Sequence, residues 1–575
     1  MAERTEDQRI KDAKAALKAM EDERRPFEAE IDNIITYVND GRRRIKDTKS
    51  TRGKRTGTEK YDSTATESLN VLQDGLCGHT ISRSFRWFSY AVPTKMQFGR
   101  ATLMRSWNGR RLDELPEVKQ WLQDYEEAMY GAFLRSNLYD VVPEIVRDAA
   151  SIGTVSPVLE EDLVGGRFVV QVPHFRENYI MENGLGEVDT RYRVYEVRVR
   201  DLAKKFGLEK MKGLDPNFER KMEQNPFQEM KILHAIYPRE DYVSGRLDAK
   251  GQKVASCWFL MDPWKFVDES GYQQMPSFTW RWRKNSDELY GRSPIWDAMV
   301  EVMIGQQQGR TNLIVGHKMA EPPMVGLEDL RGKVERGPRG WTIVSRMEDA
   351  PKPLQEGIQL PYSLELMERT DKKIRAHLQV DFFMMLSQAI LQKVEITAAQ
   401  VYEVSGEKAA ILATRVGRME TELMNPLHER GSAIEGRAGR LPPLPQVLLD
   451  LSDGDMEIEY LGPFSQIQKR LFQYKGTKAG LEAIAPYLEL FPEMKAAING
   501  LRTGKSLMES AGFPVRNFNT DEEAEEILKA QNESAQLESQ GPVIAKLLKA
   551  IPGLGKKIEE GSSLEELLKG VGGGE

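Results

Sequence analysis

The stretches YGRSPIWDAMVEVMIGQQQGRTNLIVGHKMAEPP (290–323) and SLELMERTDKKIRAHLQVDFF (363–383) decide the fold. Ser293 offers an N-cap hydroxyl and Pro294 a first-turn proline, together the signal of a helix start. Pro322-Pro323 ends that helix, since neither residue can continue the hydrogen-bond ladder. The 27 residues Pro294–Ala320 then span roughly 40 Å as a helix. A second helix is expected from about Leu364, with Met367, Ile374, Leu378 and Phe382 on one face. Glu365/Arg369 and Glu368/Lys372 are spaced as i,i+4 pairs in the favourable order. Between the helices lie residues 321–363, rich in Pro, Gly and basic side chains. So long an interval implies structure of its own, and two long helices carrying a small basic subdomain at their tip is the simplest arrangement.

Working outward, residues 5–40 read as helix, with Ile10, Leu17, Met20, Phe27, Ile31, Ile34 and Ile35 at helical spacing. Thr64–Leu76 and Val118–Leu134 are further helical stretches. The period then changes to two. Tyr195, Val197 and Val199 alternate with Glu196, Arg198 and Arg200, and Phe278, Trp280 and Trp282 alternate with Thr279, Arg281 and Arg283. Both predict antiparallel strands with one wet face. With strand candidates Phe168–Val172 and Val254–Leu260, residues 155–285 form an α+β region. Helical pattern resumes at 397–429, pauses at LPPLPQ (441–446) and returns between Phe464 and Leu507. The C-terminal VIAKLLKAIPGLGKK (543–557) is cationic and amphipathic; such a segment can lie on a membrane surface, but Pro552 and Gly553 interrupt it and favour packing against a neighbouring helix.

Charge is uneven. The 575 residues carry 81 Lys+Arg and 88 Asp+Glu, a net of −7. Yet Gly41–Lys60 holds nine basic residues, Arg42, Arg43, Arg44, Lys54 and Arg55 among them, against only Asp47 and Glu59. That segment suits phosphates, an acidic protein face, or simply solvent. Arg331, Lys333, Arg336, Arg339 and Arg346 against Glu335 make a second basic patch. A sequence-specific DNA-binding domain would be basic throughout. Hydrophobic residues make up 40%, enough to bury a large core. Two cysteines, Cys77 and Cys257, make no disulfide framework or zinc cluster and suit a reducing compartment. No uninterrupted apolar run is long enough to span a membrane, and the charged start of the chain does not read as a signal peptide; the expectation is a soluble intracellular product.

Catalytic motifs fail one by one. Gly500-Leu-Arg-Thr-Gly504-Lys505-Ser506 has three residues between its glycines where a phosphate-binding loop needs four. No G-x-S-x-G elbow occurs. His79, His174, His234, His317, His377 and His428 are scattered without metal-ligand spacing. Asp450, Asp453, Asp455, Glu457 and Glu459 lack the EF-hand pattern and read as a turn into a strand at Met456–Tyr460. The aromatic run Phe85, Trp87, Phe88, Tyr90, mixed with Ile81 and Val92, reads as core rather than as a base-stacking platform. No catalytic centre, cofactor or metal site is expected.

Several stretches, in order, resemble the portal, or head-to-tail connecting, proteins of short-tailed double-stranded DNA bacteriophages. They are Tyr61-Asp62-Ser63-Thr64-Ala65 with ESLNVLQDGL, SFRWFSY (84–90), Tyr290-Gly291-Arg292-Ser293-Pro294 before a long helix, Glu321-Pro322-Pro323, Ile396-Thr397-Ala398-Ala399-Gln400-Val401 with Glu407, and IEYLGPFSQIQK (458–469). Ala399-Gln400 departs from the family's commoner Thr-Glu, and the tail beyond about residue 530 has no counterpart.

The resemblance implies an α+β portal fold: wing at 1–289, first stem helix at 290–320, clip at 321–363, second stem helix at 364–383, channel loop at 384–396, return helix of the wing at 397–430, helical crown at 431–530 and a tail at 531–575. It implies a non-enzymatic ring, usually a dodecamer, at the capsid vertex of the virion, assembled in the host cytoplasm. Double-stranded DNA would be packaged and ejected through the channel without sequence preference. The partners it implies are the large terminase motor, major capsid protein, scaffold, and tail adaptor or tail proteins. Lys372, Lys373, Arg375 and Lys393 are then the DNA-channel candidates, and Arg331, Lys333, Arg336 and Arg339 the basic patch of the clip, a collar facing either DNA or an acidic partner. The alternatives are another head–tail adaptor or packaging component; a terminase-type enzyme would need the phosphate-binding loop and acidic metal cluster that the motifs fail to supply.

Overall fold

The computed structural model describes residues 5–39, 41–42, 60–92, 115–320, 324–328, 332, 343–353, 360–384, 414–446, 448, 456–461 and 503–504. The chain divides into units 1–468 and 469–575, and the elements below belong to the first. In chain order they begin with α1 (Glu6–Tyr37), α2 (Thr64–His79), β1 (Phe88–Ala91), α3 (Pro116–Arg135) and α4 (Leu138–Ser151). Then come β2 (Thr154–Val155), β3 (Val158–Asp162), β4 (Arg167–Gln171), β5 (Asn178–Glu182), β6 (Val188–Arg198), α5 (Val199–Phe206), α6 (Leu208–Leu214) and α7 (Phe218–Gln224). They are followed by β7 (Glu229–Pro238), β8 (Val254–Met261), β9 (Trp264–Tyr272), β10 (Trp280–Arg281), α8 (Pro294–Ala320), β11 (Met324–Val325) and β12 (Lys352–Pro353). Last are α9 (Leu360–His377), a π-helical turn at Glu420–Met424, α10 (Asn425–Arg437) and β13 (Glu457–Tyr460).

The α+β expectation holds. β5 to β9 form one antiparallel five-stranded sheet in sequential order, and helices cover both faces. α1 lays Ala13, Leu17 and Met20 on Tyr179, Leu233, Cys257 and Phe259. On the other face, Val199, Leu202, Met211 and Phe218 of α5–α7 meet Ile232, Trp258 and Leu260. A doubly covered sheet explains why β7 (EMKILHAIYP) escapes a period-2 reading: neighbouring positions are both apolar because both sides are buried.

α1 is also a strap. Thr5 and Gln8 close a capping box at its start. Beyond Pro26 its C-terminal half packs Ile31 and Ile35 with Ile152, Phe175 and Tyr290. Arg24, buried midway, donates to the carbonyls of Arg176 and Asn178, both at 3.0 Å, fixing the entry to β5. The largest core lies among α2, α3, α4, α10 and the β1–β13 pair, with Trp87, Phe88, Phe133 and His428 at its centre. The SFRWFSY run is therefore core, as its composition predicts.

Three expectations need correction. Val199 does not extend the strand of Tyr195 and Val197; it opens α5, with Arg198 as its N-terminal boundary. Phe278–Trp282 has no wet face, because Thr279 and Arg281 are buried along with the aromatics. The Arg281 guanidinium is engaged by Glu182 and by Glu422 of the π-turn, so a charged side chain in an alternating pattern here means a buried ion pair. Third, α9 begins four residues before the expected Leu364, since Pro361 fits the first turn of a helix, and it stops at His377. Gln379 then adopts φ +54°, a left-handed step that breaks the helix before the short turn at 380–384.

Candidate nucleic-acid interface

The site is built on α8, whose first turn is fastened to the core. Ser293 Oγ accepts from the Trp296 N–H (3.0 Å), as the N-cap reading predicts, and donates to the Ser151 carbonyl at the end of α4 (2.6 Å). Just before it, the Gly291 N–H donates to Thr154 Oγ1 at 2.8 Å. Gly153, at φ +100°, lies so close that a Cβ there would meet the Gly291 carbonyl oxygen at 2.3 Å; only glycine fits this crossing. Further along α8, the Gln306 amide accepts from the N–H groups of Tyr61 and Asp62 and donates to the Asp62 carbonyl at 2.7 Å. Gly305 and Gly309 make room for that crossing, since Cβ atoms there would stand 2.7 Å from Asp62 Oδ2 and 3.0 Å from Tyr61.

α9 returns antiparallel along α8. Ser363 donates to Asn312 Oδ1 at 2.6 Å near the far end, and Lys373 reaches Glu301 at 3.5 Å near the root. Thr370, Ile374 and Leu378 are buried. At the far end of the pair, β11 and β12 form a two-residue antiparallel ladder, Met324 opposite Pro353 and Val325 opposite Lys352. The insert is thus tied across its base.

Both helices of the hairpin carry exposed charged and exposed apolar residues, Arg310 among the former on α8 and Leu364 and Leu366 among the latter on α9. Lys372, Lys373 and Arg375 are exposed on α9. Lys373 is engaged by Glu301, which weakens it as a contact, whereas Lys372 and Arg375 make no ion pair among the described residues. Sequence reasoning missed Arg369 by pairing it with Glu365. Neither that pair nor Glu368/Lys372 closes among the described residues, and Arg369 is exposed one turn from Lys372. On α8, Val300, Ile304 and Ile314 are 67%, 40% and 47% exposed; with Gln307 and Thr311 they make an uncharged stripe at helical spacing.

Arg42 does not belong with the free basic residues. Its Nε bonds Asp148 Oδ1 at 2.9 Å, its Nη2 bonds Asp148 Oδ2, and its Nη1 lies 2.7 Å from Glu144. Burial alone would lower this guanidinium, yet the two carboxylates hold it above its usual value. His174 Nε2 contacts the Arg42 carbonyl, and burial pushes its pKa down. Arg43, Arg44, Lys54, Arg55, Lys393 and the patch Arg331, Lys333, Arg336 and Arg339 lie outside the described residues, as do the channel-loop segment 385–396 and the tail. Among the described residues no three His, Cys, Asp or Glu come together as metal ligands, and no helix is long and apolar enough to cross a membrane.

Comparison with known proteins adds to this geometry. The sequence matches the family described as Bacteriophage head to tail connecting protein over residues 10–518. It is 27% identical over 485 residues to the portal protein of Salmonella phage epsilon15, covering 82% of this chain and 81% of that protein. It is 25% identical over 435 residues to the probable portal protein of Bordetella phage BPP-1, covering 73% of each.

Proposed function

The chain belongs to the family of bacteriophage head-to-tail connecting proteins, and from that premise we propose how its parts serve a portal. Its function is that of a phage portal protein, a structural connector of the virion at the capsid vertex and not an enzyme. In our reading the α8–α9 hairpin (294–383) is the stem, the 321–363 insert the clip, residues 1–289 with 397–430 the wing, 384–396 the channel loop and 431–530 the crown of a ring, usually of twelve subunits. Double-stranded DNA passes through that ring during packaging and ejection. The large terminase and later the tail proteins dock at the clip, the wing contacts the major capsid protein, and assembly proceeds with scaffold in the host cytoplasm.

One observation carries the assignment of the stem: an antiparallel helix pair, riveted to the core at Ser293 and Gln306 and tied by β11–β12 at its far end. The charge distribution supports a conduit. Each phosphate neutralised by a Lys or Arg adds salt-dependent affinity, so a channel that must let DNA slide uses few unpaired cations. Arg310, Arg369, Lys372 and Arg375 are such a sparse set among the described residues, within a chain of net charge −7.

Light scattering with negative-stain images of the purified protein tests the reading. A ring of twelve 65.4 kDa chains weighs roughly 785 kDa and shows an axial hole. A compact dimer without a hole would overturn it.

A further inference from the structure

Where the chain enters α2 against the helix pair, two carboxylates meet without a cation in contact. Asp62 is 6% exposed. Its Oδ1 accepts the Thr64 N–H at 2.9 Å and the Thr64 hydroxyl at 2.7 Å. Its Oδ2 is buried with no hydrogen-bond donor and is held close to Gly305 of α8. The same Thr64 hydroxyl stands 3.2 Å from Asp371 Oδ1 on α9. A hydroxyl has one hydrogen to give, so the three oxygens are one hydrogen short.

The surrounding groups do not supply it. Neither aspartate makes an ion pair among the described residues. Gln306, from α8, spends its amide on the backbone of Tyr61 and Asp62. From α2, Glu67 takes the Ser63 hydroxyl at 2.6 Å and Thr66 takes Lys60 at 2.6 Å. α9 itself contributes the charges of Glu368 and Arg375. Burial first, and the charge of Asp62 next, push the Asp371 carboxyl above its usual value, against the opposing pull of Thr64 and Arg375.

We infer that Asp371 takes up a proton from solvent at this junction, and that its neutral carboxyl supplies the missing hydrogen, clamping α9 to the entrance of α2 in acid and loosening as it ionises. One O–H bond forms on uptake and no other bond changes. The sign follows from the geometry. Two carboxylates flanking one hydroxyl repel when both are charged, so the stabilisation is fully present below the ordinary carboxylate pKa of the unfolded chain and is lost as pH rises through the higher folded-state value of Asp371. The inference rests on the junction alone and stands whether or not the chain forms a ring.

Hydrogen–deuterium exchange of the full chain, read by mass spectrometry at pH 4 and pH 8 and corrected for intrinsic rates, tests it. Peptides from 60–80 and 360–384 in the unsubstituted protein should be better protected at pH 4, while peptides of the five-stranded sheet should not share that shift. Asp371→Asn should give high protection at both pH values. Asp62→Asn, which removes the opposing charge and keeps an oxygen for Thr64, should shrink the difference between them. A full pH response in either variant overturns the inference. So does protection restored at pH 8 by magnesium chloride alone, since the site would then be filled by a cation rather than a proton.

Discussion

His428 shows how much one residue's surroundings can dictate. Its ring lies 4.4 Å from Phe88, 5.0 Å from Phe133 and 5.1 Å from Trp87 between centroids, with Nδ1 2.9 Å from the Tyr90 hydroxyl. Burial alone pushes its pKa from 6.5 to about 3. The folded chain therefore keeps this ring neutral while the unfolded chain protonates it. The stability it contributes is complete above about pH 6.5 and drains away as pH falls toward 3, on the order of a few kcal/mol. His174 and His234, also buried and shifted downward, act in the same direction. Thermal melting between pH 7 and pH 4 should show a steep fall, and His428→Asn should lower the pH 7 melting temperature while flattening that slope. An unchanged slope would mean the ring already carries a proton in the fold. Nothing in the sequence separates His428 from the exposed His317 and His377, because its environment is assembled from β1, α3 and β13. Arg42 is the parallel case: it stands in a basic run, but Asp148, more than a hundred positions away, decides that it is structural.

At the scale of elements, the long helix pair was legible because its signals are local. The Ser293-Pro294 cap and the double proline fall where α8 begins and ends. The step at Gln379 was not, since a left-handed residue other than glycine leaves no sequence mark. Strands buried on both faces, such as β7, lose the alternation that would reveal them. Of the exposed cations on the helix pair, Lys372, Lys373 and Arg375 were named from the helix pattern and Arg310 and Arg369 were not; α8 supplies Glu301 to Lys373, while Glu365 leaves Arg369 unengaged among the described residues. The glycines of α8 permit a direct test of tertiary context against propensity. Alanine is favoured over glycine within a helix by about 1 kcal/mol. A methyl group added at Gly316 would meet nothing within 4 Å, so Gly316→Ala should stabilise by up to that amount. At Gly305 the same methyl would come within 2.7 Å of Asp62 Oδ2, and Gly305→Ala should cost about 1–3 kcal/mol instead. Denaturant melts of the two variants should move in opposite directions; parallel shifts would show that the Asp62 crossing yields easily.

For the whole molecule, the uncharged stripe on α8 constrains how copies meet. Val300, Ile304 and Ile314 repeat along one helical face with Gln307 and Thr311 between them, over roughly 21 Å. The five residues of the stripe give DNA phosphates nothing to pair with, exposed Arg310 lying at its edge one turn from Ile314, whereas a neighbouring subunit gains by burying their apolar side chains. In a head-to-tail ring each interface is the same heterologous contact, so one substitution recurs at every junction. Burying the exposed 40% of Ile304 contributes roughly 0.6–1.2 kcal/mol per interface, and placing a carboxylate there adds the cost of desolvating a charge. Ile304→Asp should therefore abolish the ring-sized species in light scattering while leaving the circular dichroism of the single chain unchanged and lowering its melting temperature only modestly, because 40% of the residue is already exposed in it. Replacing Arg369, Lys372 and Arg375 together by Gln should do the reverse, leaving ring mass intact and lowering DNA retention in filled heads. If Ile304→Asp still forms rings, the stripe faces the channel or solvent, and the subunit contact must be sought on another face of the helix pair.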